Sequence, residues 1–193
     1  MNAPLRRVAI SVLVLFTLLI INVNYIQVVR SDELRDDNSN TRQLAEEYSR
    51  ERGSIVVAGT EVALSTPTDD RLKYLRQYPA AELYAPVTGY YSVIYNKTGI
   101  EDAENDLLAG SDPRLTLRRL ADLFTGRDPQ GGDVVLTLDP AVQKAAMSGL
   151  KGVSGAVVAL DPKTGAVLAL ASTPTYDPNK LSSHDPKAIR AYA

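Results

Sequence analysis

The chain has 193 residues, a formal net charge of −2 and no cysteine, and its single histidine is His184. That is enough for one modest domain and an anchor. The composition excludes disulfides, thiol catalysis, cysteine- or histidine-built metal sites and a Ser-His-Asp triad within the chain. No basic cluster points to nucleic acid.

Arg6 and Arg7 precede residues 8–29, which carry no formal charge, and only Ser11 and Thr17 interrupt the apolar run at 8–21. About 20 helical residues span the hydrocarbon core of a bilayer, so the stretch predicts a transmembrane helix. A cleaved signal peptide would need a shorter apolar region and a small-residue cleavage site, and no Ala-x-Ala follows. The reading is an uncleaved, single-pass anchor. The arginine pair places the N-terminus in the cytoplasm and the bulk of the chain outside.

Residues 31–51 are strongly polar, and Leu44 and Tyr48 lie four apart on one face of a possible helix. A solvated stalk is expected, with a surface for a membrane partner as the sharper alternative. Arg52-Gly53-Ser54-Ile55 opens a strand-like segment over residues 54–63, with turn signals at Gly59 and Thr60. Arg52 could anchor an ion pair, but an arginine beside a turn is more often solvated. Tyr74, Tyr78, Tyr84, Tyr90, Tyr91 and Tyr95 crowd one region. Their rings suit a half-buried pleated surface, and a glycan-contact surface is the functional alternative.

Leu117, Leu120, Ala121 and Phe124 form a helical stripe behind Ser111-Asp112-Pro113, with Gly126 as its stop. Residues 127–132 are polar and turn-rich and read as a linker. Residues 133–138 read as a strand. Asp139-Pro140 then supplies a capping carboxylate and a proline at the first helical position, and Val142, Ala146 and Leu150 share a face. From Gly155 the chain reads GAVVALDPKTGAVLALASTPTYDPN to Asn179. Two apolar runs flank Asp161-Pro162-Lys163-Thr164-Gly165, a type I turn signal with a glycine that can take the left-handed conformation. Neither run alternates with polar residues, so both faces of this hairpin are expected to be covered.

These motifs resemble class B penicillin-binding proteins, in the short penicillin-binding protein A type. The hairpin and its Pro174-x-Tyr176-Asp177-Pro178-Asn179 exit are similar to the opening of the family's transpeptidase domain. Leu136-Thr137-Leu138-Asp139 through Gln143 to Ala146 is similar to its L-T-x-D-x-x-x-Q-x-x-A helix. Arg52-Gly53-x-Ile55, Gly99-Ile100-Glu101 and the run from Asn105 to Gly110 resemble its N-terminal module more loosely.

The resemblance implies an α+β chain in three parts. These are a cytoplasmic tip and anchor at 1–30, a non-catalytic pedestal of dimerisation type at 31–130, and the first helix and hairpin of a transpeptidase domain at 131–193. For the complete enzyme it implies a serine-type D,D-transpeptidase that cross-links peptidoglycan and needs no cofactor. Its substrate would be the D-Ala-D-Ala stem peptide, mimicked by β-lactams, and its partner a polytopic membrane glycan polymerase. A non-enzymatic, membrane-anchored scaffold of the wall or division machinery is the alternative.

The family's S-x-x-K, S-x-N and K-T-G signatures have only partial matches. Ser148-Gly149-Leu150-Lys151 fits the first, Lys97-Thr98-Gly99 and Lys163-Thr164-Gly165 fit the last, and S-x-N is missing from the sequence. A nucleophilic serine must start a helix so that the lysine one turn on can take its proton. Ser148 is expected in a last turn and Lys163-Thr164-Gly165 in a hairpin turn. No catalytic, substrate-binding or metal residue is therefore assigned, and the catalytic motifs are expected beyond Ala193.

Overall fold

A computed structural model describes residues 3–29, 46–115 and 130–193. Residues 116–124 of the expected helix at 115–124, residues 127–129 of the expected linker and most of the expected stalk lie outside these residues. The chain divides into two units, residues 1–43 and 44–193.

The first unit holds α1, Ala3–Val29. Its 27 residues make it about 40 Å long, beyond the roughly 30 Å of a bilayer's hydrocarbon core. Its large apolar side chains are exposed along its length, Leu13 at 68% and Ile21 at 59%. Within the helix, Thr17 Oγ1 donates to the Leu13 carbonyl at 2.9 Å and Asn24 Nδ2 to the Ile20 carbonyl at 2.8 Å. These two polar side chains are thus satisfied within the helix.

The second unit is mixed α and β. Strands β1 (Ile55–Val57), β2 (Thr60–Pro67), β3 (Tyr74–Gln77) and β6 (Val134–Leu136) form a sheet in the order β3-β2-β1-β6. The β1–β2 hairpin turns through Ala58 and Gly59 with φ of 49° and 78°. Positive φ at both central residues is the type I′ geometry that matches strand twist. Strand β6 joins β1 in parallel, with Ile55 opposite Val134. Its core of Ile55, Val57, Val62, Ala63, Tyr78, Tyr84, Leu108 and Leu138 is buried.

Between β3 and β6 lie the short helix α2 (Ala85–Thr88), the small hairpin of β4 (Tyr91–Ser92) and β5 (Asn96–Lys97), and helices α3 (Ile100–Ala103) and α4 (Asn105–Leu108). Gly131 and Gly132, which read as linker, are instead packed backbone. Gly131 N donates to the Glu51 carbonyl and Gly132 N to the Leu107 carbonyl, both at 2.9 Å. A Cβ on Gly131 would sit 1.8 Å from the Leu108 carbonyl oxygen, and one on Gly53 would sit 2.0 Å from that of Gly132. Glycine is required here because three backbone segments meet with no room for a side chain.

Helix α5 (Pro140–Gly149) starts as expected, with the Asp139 carboxylate accepting from the backbone N–H of Ala141 and Val142. It packs on the second strand of the antiparallel hairpin β7 (Gly155–Leu160) and β8 (Val167–Thr173). The hairpin departs from expectation in one respect. Ala169 and Ala171 are fully buried, but Val158 and Leu160 on β7 are 58% and 56% exposed. Among the described residues, α5 and α2 pack mainly against β8, which leaves β7 largely open. Helices α6 (Pro178–Leu181) and α7 (Pro186–Tyr192) follow, capped by Asp177 and Asp185.

Candidate functional site

The polar groups of the second unit converge at a buried charge cluster and a seam beside it. Glu101, on α3, is fully buried. Its carboxylate accepts from Arg52 Nε at 2.7 Å, Arg76 Nε at 2.6 Å and the Tyr78 hydroxyl at 3.1 Å. Arg52 also donates to the Glu101 carbonyl at 2.6 Å, and Arg76 Nη1 to that of Gly53 at 2.8 Å. The open question about Arg52 is settled: it is 5% exposed and ion-paired. Its guanidinium lies 4.4 Å from the centroid of the Tyr91 ring.

Burial by itself would raise the Glu101 carboxyl, but the charges of Arg76 and Arg52 outweigh it and hold the group below the ordinary carboxylate value. Two guanidiniums against one carboxylate leave the cluster net positive. Carbonyl oxygens and the face of Tyr91 take up part of that excess.

The seam ties β3 and the segment after it to the α5, hairpin and α6 region. Asn179, at the end of the Tyr176-Asp177-Pro178-Asn179 motif, holds both sides of one residue's backbone. Tyr78 N donates to Asn179 Oδ1 at 2.8 Å, and Asn179 Nδ2 donates to the Tyr78 carbonyl at 3.0 Å. Gln143, fully buried on α5, donates to the carbonyls of Leu83 at 2.8 Å and Leu170 at 2.9 Å, and accepts from Leu170 N at 2.9 Å. The Thr175 hydroxyl donates to the Glu82 carbonyl and that of Tyr176 to the Ala85 carbonyl. Every one of these bonds joins a side chain to backbone, on β8, the end of β3 or the short helical segments after it.

Beside the cluster, Tyr48 stacks on Tyr91 with ring centroids 4.6 Å apart and meets His184 edge-on at 5.6 Å. His184 Nδ1 lies 2.6 Å from Asp70 Oδ2. That contact is the foremost cause holding the exposed Asp70 carboxyl below its ordinary value. Of the six clustered tyrosines, Tyr78, Tyr84 and Tyr91 are buried in the body. Tyr90 and Tyr95 line an open groove of about 500 Å³ with Tyr176, Leu181, Tyr192 and Ala193.

Of the partial signature matches, Ser148-Gly149-Leu150-Lys151 and Lys163-Thr164-Gly165 lie apart from this seam, and Lys97-Thr98-Gly99 lies beside Tyr176. Ser148 Oγ donates to the Lys144 carbonyl at 2.8 Å in the last turn of α5. Thr164 and Lys163 N are both held by the Asp161 carboxylate in the hairpin turn, where Gly165 has φ of 75°. Lys97 ends β5 and Gly99 precedes α3. Among the described residues there is no cluster of three or more metal-ligating side chains.

The structural partners of Glu101, Gln143, Asn179 and Ser182 escaped the sequence reading. Gln143 and Asn179 stand inside quoted motifs, yet a polar side chain announces burial only when its partner is known. The signal available for Gln143 was its place between Val142 and Ala146 on the packing face.

Two family descriptions match the chain: the penicillin binding protein A dimerisation domain over residues 52–134 and the penicillin binding protein transpeptidase domain over residues 155–193. Together they take in most of the chain, which belongs to the class B penicillin-binding proteins, in the penicillin-binding protein A group.

Among its relatives, the peptidoglycan D,D-transpeptidase PbpA of Mycobacterium tuberculosis is 50% identical over 97% of this chain and 39% of its own length. That of Mycolicibacterium smegmatis is 52% identical over 96% of this chain and again 39% of its own length. The chain thus spans well under half the length of these curated relatives. A solved structure of M. tuberculosis penicillin-binding protein A, as a ceftriaxone acyl-enzyme, superposes with a TM-score of 0.75 at 51% identity, covering 77% of this chain and 35% of that one.

Proposed function

We propose that this chain is the membrane-anchored N-terminal part of a peptidoglycan D,D-transpeptidase. One observation carries the reading: the seam in which Asn179 and Gln143 join the matched pedestal sequence to the matched transpeptidase sequence by side-chain-to-backbone bonds. The pedestal at 31–130 carries the opening of the transpeptidase domain, 131–193. The anchor, 1–30, has its N-terminus in the cytoplasm, as the Arg6-Arg7 pair favours.

The activity is transfer from a D-Ala-D-Ala stem peptide, through a serine acyl-enzyme, to an amine of a neighbouring strand. β-Lactams enter as mimics of the stem peptide, and a polytopic glycan polymerase is the membrane partner. Neither Ser148 nor Lys151, Lys97 or Lys163 has a catalytic part. A serine bonded to a carbonyl in a helix's last turn has no base to take its proton and no oxyanion donors before it.

Fluorescent penicillin followed by a denaturing gel tests this. Membranes from cells expressing the protein from its own gene should show a covalently labelled band that competes with unlabelled penicillin. The 193-residue chain should show none, with or without Ser148→Ala. A band on that chain abolished by Ser148→Ala overturns the assignment of Ser148. Absence of label in both samples favours the scaffold reading.

A further inference from the structure

The turn at residues 46–50 is held to the body mainly by aromatic side chains. Glu46 and Arg50 pair with each other on the surface, their side chains 65% and 43% exposed. Tyr48 is only 2% exposed, because its ring lies against Tyr91 on one side and His184 on the other. The Tyr48 hydroxyl donates to the Tyr91 carbonyl at 3.4 Å, and the Tyr91 hydroxyl donates to Glu47 at 2.9 Å.

The loop at residues 182–185, between α6 and α7, uses the same rings. Ser182 Oγ accepts from Tyr91 N at 3.3 Å, His184 rests on Tyr48, and His184 Nδ1 meets Asp70 on the β2–β3 connection. Its Nε2 is buried without a hydrogen-bond partner among the described residues. The loop therefore gains nothing polar at that end of the ring, and what keeps it seated is the Tyr48 ring, Asp70 and the bond from Tyr91 N to Ser182.

We propose that Tyr48, Tyr91 and His184 form an interlock through which the turn at 46–50 controls the seating of the 182–185 loop and, with it, α6 and α7. Each segment covers a ring that the other needs covered. Withdrawing Tyr48 bares part of the His184 ring, and withdrawing His184 bares part of the Tyr48 ring. Such coupling is reciprocal by thermodynamic necessity. Asn179 on α6 carries the seam to Tyr78, so a pull or a binding event on the chain just before Tyr48 reaches the transpeptidase segment through two named side chains. The inference concerns coupling within the fold and stands apart from the proposed enzymatic activity.

The single histidine makes the test direct. In the 193-residue chain in detergent micelles, carbethoxylation of His184 by diethylpyrocarbonate reads opening of the loop. Tyr48→Ala should speed it by about tenfold, while Tyr48→Phe, which keeps the ring, should stay within about twofold. Asp70→Asn, at a side chain 47% exposed, should also speed it without touching the core.

The reverse direction is read by trypsin cleavage after Arg50. His184→Ala and Asp70→Asn should each raise that rate by several-fold, at about the size expected for contacting residues. Cleavage after the buried Arg76 is the control and should stay slow. The interlock is overturned if cleavage after Arg50 ignores both variants, if Tyr48→Ala leaves His184 reactivity unchanged, or if cleavage after Arg76 rises in parallel.

Discussion

Glu101 is the residue on which the charge balance of the second unit turns, because it is the buried anion that both Arg52 and Arg76 meet. Removing one partner of a buried pair strands the other charge in a poorly solvating interior. Glu101→Gln strands two and should cost about 3–5 kcal/mol in urea unfolding. Its carboxyl is held below the ordinary value of 4.5 in the folded chain. The unfolded chain thus binds the proton more readily, and the contribution to stability is complete above that value and lost as pH falls through the lower, folded one. Stability measured from neutral pH downward should therefore drop more steeply below about pH 4.5 in the wild type than in Glu101→Gln. At Gly131 the penalty is steric, since a Cβ would fall 1.8 Å from the Leu108 carbonyl oxygen. Gly131→Ala should cost about 2–3 kcal/mol, read as a shift of the urea midpoint with little change in slope.

At the scale of elements, the β7–β8 hairpin depends on what binds β8 from below. Its first strand has open faces, and an isolated two-stranded hairpin is marginal in water. Gln143 bonds both backbone groups of Leu170, and Asp139 N donates to the Leu168 carbonyl at 2.9 Å. Gln143→Leu removes three bonds and leaves buried backbone groups unpaired, at a cost of about 1–3 kcal/mol. Hydrogen exchange should report that loss first at amides of residues 157–170, with the β1–β2 amides unaffected. Equal acceleration in both regions would show that hairpin and sheet open as one. Asp139→Ala, which removes the cap from α5, should cost about 1 kcal/mol and loosen the same amides.

For the whole molecule the testable quantity is topology. The chain lacks cysteine, so Thr60→Cys, exposed beside the β1–β2 turn and outside its positive-φ positions, is a clean probe. A membrane-impermeant maleimide should label it in intact spheroplasts, as the proposed cytoplasmic N-terminus requires. Labelling only after lysis would reverse the orientation.

How far each scale was legible depends on the range of the interactions that set it. The N-terminal apolar helix, the cap at Asp139, the turn at Asp161 to Gly165 and the place of Ser148 in a last turn were all readable in sequence, because each is decided by neighbours within one or two turns of chain. The exposed face of β7 was not, since two unbroken apolar runs cannot say which partner covers them. Nor was the burial of Arg52: its carboxylate lies 49 positions along the chain, and an arginine beside a turn looks the same whether solvated or paired. The same distance hid Asn179 from Tyr78, 101 positions away. Local propensity and hydrophobic period wrote the elements into the sequence. Which polar groups would be buried together was decided only when β1, β3 and α3 closed on one another, because a buried charge or amide is tolerable only beside a partner brought there by the fold.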